Sequence, residues 1–144
     1  MTDLDSAEAL TEAIVRYNDA WNAHDLDRIM SMHAPDMVFE NHTAGESATG
    51  EEVRGHIGSI FETWPDIAFA ERRLYAREGL IVQEWTATAT HTNVMRRGDL
   101  VAEPTGKTIT WNGLDVIPFE GGLVKRKDVY SDSVTILTQL GLLG

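Results

Sequence analysis

Asp115 and Asp128 stand on two consecutive strand-like stretches joined by the tight-turn sequence Glu120-Gly121-Gly122. Strands joined in this way pair with each other, so the two carboxylates can approach across the ladder. By strict alternation Asp115 shares a face with Trp111 and Gly113. Asp128 shares one with Val124, Arg126 and Tyr130. A carboxylate facing an apolar hollow is poorly solvated, which favours its acid form. A second carboxylate nearby pushes one of the two further the same way. A general acid or base needs that condition near neutrality. The expectation is an acid–base pair, Asp115 and Asp128, pointing together into a dry pocket. The competing reading pairs Asp128 with Lys125, Arg126 or Lys127 and turns Asp115 to water.

His91 falls on the apolar-facing phase of its strand. There it can act as a base, orient a carboxylate, or simply form a hydrogen-bonded part of the wall. His42, beside Asn41, is placed at the mouth of the pocket. Trp21, Trp64, Trp85, Trp111 and Phe39 are large flat surfaces. If they line one cavity, with Tyr130 beside Asp128, they suit an apolar, planar or polycyclic organic ligand. Core packing alone also accounts for some of them. No two histidines stand at i, i+4 spacing and no compact His/Asp/Glu set occurs, so no metal is expected. The chain lacks a phosphate loop, a dinucleotide fingerprint and a nucleophile elbow, so no cofactor is expected either.

The elements that must carry these residues are legible from periodicity. Residues 6–23 read as an amphipathic helix with Leu10, Ile14, Tyr17 and Trp21 on one face, capped by Asp5 or Ser6. Asp25 caps a short second helix carrying Leu26, Ile29, Met30 and His33, which Ala34-Pro35-Asp36 stops. Residues 37–41 form a short strand, and 42–50 a polar loop. Thr49 and Glu52 make a capping box for a third helix bearing Val53, Ile57, Ile60 and Phe61, ended by Trp64-Pro65-Asp66. Strands follow at 67–76, 80–92, 107–119 and 123–130, with a loop over 93–106. In the second of these, Thr86, Thr88 and Thr90 alternate with Trp85, Ala87, Ala89 and His91. The apolar tail over 133–143 suits a short docking helix. Helices first and then hairpin-linked strands is the α+β pattern. Three N-terminal helices on a curved antiparallel sheet would enclose a pocket, and the alternation means one sheet face is buried.

The length of 144 residues suits one domain, with 42% apolar and 24% charged residues. The net charge of −11 repels phosphate backbones and anionic headgroups, so neither nucleic acid nor membrane is an expected partner. No apolar run is long enough to cross a bilayer. With no cysteine there is no disulfide or thiolate chemistry. The acidic start of the chain lacks the form of a signal peptide, so the expected location is the cytoplasm.

Several stretches carry a resemblance to a known family. They are Arg16-Tyr17-Asn18-Asp19-Ala20-Trp21-Asn22-Ala23-His24-Asp25-Leu26-Asp27 and Asp36-Met37-Val38-Phe39-Glu40-Asn41-His42. The second half adds Glu84-Trp85-Thr86-Ala87-Thr88-Ala89-Thr90-His91-Thr92, Pro104-Thr105-Gly106-Lys107 and Gln139-Leu140-Gly141. In their order and spacing these resemble the NTF2-like superfamily, and within it the SnoaL-like polyketide cyclases. The resemblance covers nearly the whole chain. It implies the conical, cystatin-like helix-on-sheet fold and, commonly, a homodimer through the outer sheet face, where the threonine ladder lies. It places Asp128 where those cyclases carry an acid–base aspartate and Asp115 where they carry a second polar active-site residue. Tyr17 falls where ketosteroid isomerases hold an oxyanion-hole tyrosine, although a satisfied core tyrosine fits there equally. The isomerase base position is Asn41, whose amide cannot take a proton. Trp85-Thr86-Ala87 replaces the Arg-x-Asp of the epoxide hydrolases. The implied activity is a cofactor-independent cyclisation, isomerisation or dehydration of an apolar carbonyl compound. The alternative is a non-catalytic binding or dimerisation module on the same fold.

Overall fold

The computed structural model describes residues 3–143. Helix α1 (Ala7–Asn22) buries Leu10, Ala13, Ile14, Tyr17, Ala20 and Trp21 along one stripe, and Ser6 caps it by accepting from Ala9 N. Asp25 caps α2 (Leu26–Ser31) through Arg28 N. Strand β1 (His33–Asn41) begins earlier than the sequence expectation, taking in His33 and the Ala34-Pro35 step. Proline biases the residue before it towards extended backbone, so this dipeptide continues a strand as readily as it stops a helix.

The expected loop over 42–50 contains β2 (Glu46–Thr49), which turns back on β1. Thr49 belongs to that ladder, and Glu51 is the N-cap of α3 (Glu52–Thr63) without a side-chain cap bond. The Thr49–Glu52 capping box is therefore not formed. Strands β3 (Ala68–Arg77) and β4 (Leu80–Thr90) follow as a hairpin. Within the expected loop over 93–106, β5 (Met95–Arg97) and β6 (Leu100–Ala102) form a small separate hairpin. Its anchors Met95 and Ala102 are buried. Strands β7 (Thr108–Glu120) and β8 (Leu123–Ser131) and helix α4 (Ser133–Gln139) complete the chain. There are thus four helices among the described residues, three before the long strands and one after them.

The main sheet has the order β2-β1-β8-β7-β4-β3. Every neighbouring pair is antiparallel except β1 and β8, which run parallel, so the sheet is mixed rather than wholly antiparallel. The β7–β8 turn uses Gly121 and Gly122, both at positive φ, as a two-residue hairpin requires. The Asp5 carboxylate accepts from both of their amides (2.8 and 2.7 Å), and its carbonyl accepts from Gly79 N in the neighbouring turn (2.8 Å). One residue before α1 thus ties two hairpin turns together.

The feature with most consequence for function lies in β8. Phe119 pairs with Val124, yet Val116 pairs with Asp128. Two residues of β7, Ile117 and Pro118, therefore face three of β8, Lys125, Arg126 and Lys127. This is a β-bulge, and Pro118, with no N–H to give, fits beside it. An extra residue reverses the alternation. Val124 points inward before the bulge, and Lys127 and Val129 are the buried positions after it.

Candidate active site

A cavity of about 860 Å³ lies between the inner sheet face and helices α1 and α3. Trp21, Phe39, Trp64, Phe69 and Trp85 form its aromatic walls, and exposed Asp19, Glu62, Asn93 and Arg96 stand at its edge. Trp85 lies across the sheet from Gly113, where a Cβ would sit 2.1 Å from the indole ring. Glycine is what allows the ring to lie flat on the strand.

Of the charged side chains that line this cavity two are almost fully buried: Asp115 from β7 and Lys127 from β8. Lys127 Nζ is 3.8 Å from Asp115 Oδ2. It also sits over the Trp21 ring at 3.9 Å and is 5.0 Å from the centre of the Tyr17 ring. Burial holds the Lys127 ammonium below the ordinary lysine range, and the Asp115 charge partly offsets this. Gln83 Nε2 donates to Asp115 Oδ2 (2.9 Å) and to Asn18 Oδ1 (3.1 Å), and Asn18 Nδ2 returns a bond to Gln83 Oε1 (2.8 Å). Asp115 Oδ1 and Trp21 Nε1 are buried with no partner. An acceptor and a donor in two cavity-lining residues are thereby left unpaired, at a cost in desolvation.

Asp128 is not part of this arrangement. It pairs with Val116, on the opposite sheet face from Asp115, because the bulge has reversed its phase. Arg126 grips it with two nitrogens, each at 2.8 Å, and also reaches Glu40 at 2.6 Å. His42 Nε2 adds a contact of 2.7 Å to Asp128. Arg126 first, and then His42, hold the Asp128 carboxyl below the usual carboxylate range. That is the reverse of a proton donor poised near neutrality. The expected Asp115–Asp128 pair is replaced by Asp115–Lys127. Glu40, His42 and Asp128 together offer ligand atoms within 4.8 Å of one another. Arg126 already lies on both carboxylates, so this cluster has its cation.

The other expected residues divide. Trp21, Phe39, Asn41, Trp64 and Trp85 line the cavity. Trp111 lies behind Trp64 in the core, ring centres 5.4 Å apart. His42 and Tyr130 stack on each other outside the cavity, on the outer side of the sheet. His91 is fully buried against Trp64, and its Nδ1 meets Thr105 at 3.0 Å rather than a carboxylate. Tyr17 is fully buried, and its hydroxyl meets His33 Nε2 at 2.8 Å. Its ring packs beside Lys127 and does not line the cavity. Burial pushes its hydroxyl well above the ordinary tyrosine range.

Sequence reasoning missed Lys127, Gln83, Asn18 and His33. Gln83 was open to it, since it shares the inner phase of Trp85 and Ala87. Lys127 had one signal: three consecutive cations, Lys125-Arg126-Lys127, cannot all avoid the inner face of a strand.

The chain also resembles a known family. The family model of the SnoaL-like domain matches residues 14–127. No curated protein matches the chain. Among solved structures, AclR of Streptomyces galilaeus, a candidate hydroxylase, superposes with a TM-score of 0.82 at 22% identity, covering 96% of this chain and 89% of its own. IdmH of Streptomyces antibioticus, a candidate polyketide cyclase, gives 0.75 at 24% identity, with 91% and 97% covered. A Catenulispora acidiphila protein with a ketosteroid isomerase-like fold, in complex with trimethylamine, gives 0.76 at 14% identity, with 91% and 93% covered. At these identities the likeness is one of fold. Among the described residues no helix is long and apolar enough to cross a membrane.

Burial, and then the charge of Lys127, lower the His33 pKa from 6.5 to about 4. The unfolded chain takes a proton at His33 as pH falls below its ordinary value, while the folded chain resists it. Stability is therefore complete above that value and is lost as pH falls towards the folded one. Between about pH 7 and about pH 4.5 this group contributes a loss of about 2 kcal/mol. Urea denaturation of the wild type and of His33→Gln at those two pH values should give a visibly smaller loss in the variant. An equal loss would contradict a buried neutral His33.

Proposed function

From the premise that the chain belongs to the SnoaL-like family, we propose that it is a cofactor-independent enzyme acting on an apolar, carbonyl-bearing organic compound held in the aromatic cavity. The observation that carries this reading is the buried Asp115 carboxylate, with one oxygen unpartnered, beside Lys127. Asp115 takes a proton from the carbon next to the carbonyl. Lys127 supplies the positive charge that the developing enolate needs, in a site where low dielectric makes that charge effective. Gln83, fixed by Asn18, orients the carboxylate. Return of the proton elsewhere gives isomerisation, attack on a second carbonyl gives aldol cyclisation, and loss of a hydroxyl gives dehydration. The aromatic walls hold the reacting carbons together.

The same cavity would serve a non-catalytic binding module. Its apolar walls favour a ligand of the same class, and the absence of proton exchange would distinguish it.

The proposal includes a homodimer through the outer sheet face. Exposed Tyr75 and Tyr130 flank a shallow depression with Val82 and Leu114. Charges on that face are internally paired, Arg72 and Arg73 with Glu84 and Arg126 with Glu40 and Asp128. A second acidic copy is therefore not repelled there. Sedimentation velocity should give the dimer mass for the wild type and the monomer mass for Tyr130→Glu. A wild-type monomer at micromolar concentration overturns this part.

The catalytic part is tested by deuterium exchange from solvent into the methyl group of acetonaphthone, followed by NMR. Asp115→Asn should slow exchange by about 100-fold or more. Asp128→Asn, on the outer face, should stay within about 3-fold of the wild type, since a remote carboxylate makes no transition-state contact. Exchange that survives in Asp115→Asn removes its role.

A further inference from the structure

The chain holds three lysines. Lys107 and Lys125 are exposed, and Lys125 is bonded to Glu120 at 2.8 Å. Lys127 alone is inside, and its setting is unusual for an ion pair kept for stability. Its nitrogen lies 3.8 Å from Asp115, too long for a hydrogen bond. Rings of Trp21, Tyr17 and Phe39 lie within 5.7 Å of it. A structural buried pair is favourable only when close contact and further hydrogen bonds satisfy both charges. Here the ammonium has only the Asp115 carboxylate opposite it, at 3.8 Å, and Asp115 Oδ1 is buried without a donor. Both residues line the same cavity. Such a pair retains its capacity to react: a desolvated amine is a nucleophile, and the carboxylate beside it can carry protons.

We infer that Lys127 forms an imine with an aldehyde or ketone bound in the cavity, with Asp115 as the proton carrier. The inference rests on the reading of the cavity as a carbonyl site and deepens it: the positive charge opposite the carboxylate is delivered as an iminium. The steps balance. Lys127 passes one proton to Asp115 through a water bridging the 3.8 Å between them, leaving a neutral amine and a neutral acid. The amine lone pair attacks the carbonyl carbon, a C–N bond forms, and the C–O π pair moves to oxygen. A proton moves from nitrogen to that oxygen, giving the carbinolamine. Asp115 then protonates the hydroxyl, the C–O bond breaks, and water leaves. The nitrogen lone pair closes the C=N bond. The ammonium and the carbonyl have become an iminium and one water, with total charge unchanged and Asp115 again a carboxylate. Hydrolysis reverses the sequence.

The test treats the full chain with naphthaldehyde and cyanoborohydride near neutral pH and maps the modified peptides by mass spectrometry. Quenching of tryptophan fluorescence reports binding of the aldehyde independently. The expected result is one naphthylmethyl group on Lys127, with Lys107 and Lys125 at background. Lys127→Arg keeps the positive charge and should bind the aldehyde without being trapped. Circular dichroism verifies that the variant is folded. Asp115→Asn should bind the aldehyde and be trapped about 10-fold or more slowly, the scale of a lost proton carrier. Binding without modification of Lys127 overturns the imine and leaves the carbonyl cavity standing. Failure to bind naphthaldehyde overturns both. Trapping of Asp115→Asn at the wild-type rate overturns the proton role of Asp115.

Discussion

The single extra residue in β8 determines which charge enters the cavity. Without the bulge, alternation from Val124 would turn Arg126, Asp128 and Tyr130 inward. With it, Lys127 and Val129 are buried, and Asp128 lies on the other face. The buried charges of the cavity are therefore one acid and one base rather than two acids. Two carboxylates in a dry hollow share a proton because both cannot ionise together. A carboxylate and an amine there can exist either as ions or, after one proton transfer, as neutral groups. The bulge thus selects the chemistry and not only the shape.

The two faces of the sheet treat similar groups in opposite ways. On the outer face Asp128 has a guanidinium, an imidazole and solvent around it, so its negative charge is secured. On the inner face Asp115 has an amide on one oxygen and nothing on the other. Arg126 spans its partners with a planar fork, which Lys127 cannot do. The outer cluster is stable because it is satisfied. The inner pair remains available because it is not. The rings of Tyr17 and Trp21 pack against Lys127, while Gln83 and Asn18 fix the direction of the carboxylate.

Much of this was legible in the sequence. The stripe on α1, the Asp25 cap, the Gly121-Gly122 turn and the inner phase of β4 all follow from local rules, and the structure keeps them. The inner position of Asp115 follows from Trp111 and Gly113 before it. The phase of β8 does not follow, because a bulge is a property of two strands and strict alternation reads only one. Pro118 opposite the run Lys125-Arg126-Lys127 was the one local sign. The parallel β1–β8 pair, the start of β1 at His33 and the small β5–β6 hairpin depend on long-range contacts of the same kind. Thr49 and Glu52 had the right spacing for a capping box, but Thr49 is taken up by the β2 ladder.

Asp115 interacts with Lys127 and not with Asp128. Double-mutant cycles measured by urea denaturation test it most directly. Asp115→Asn and Lys127→Met should be non-additive by more than about 1 kcal/mol, as residues sharing a buried contact are. Asp115→Asn and Asp128→Asn should add to within about 0.5 kcal/mol. Additivity in the first cycle together with coupling in the second would contradict it.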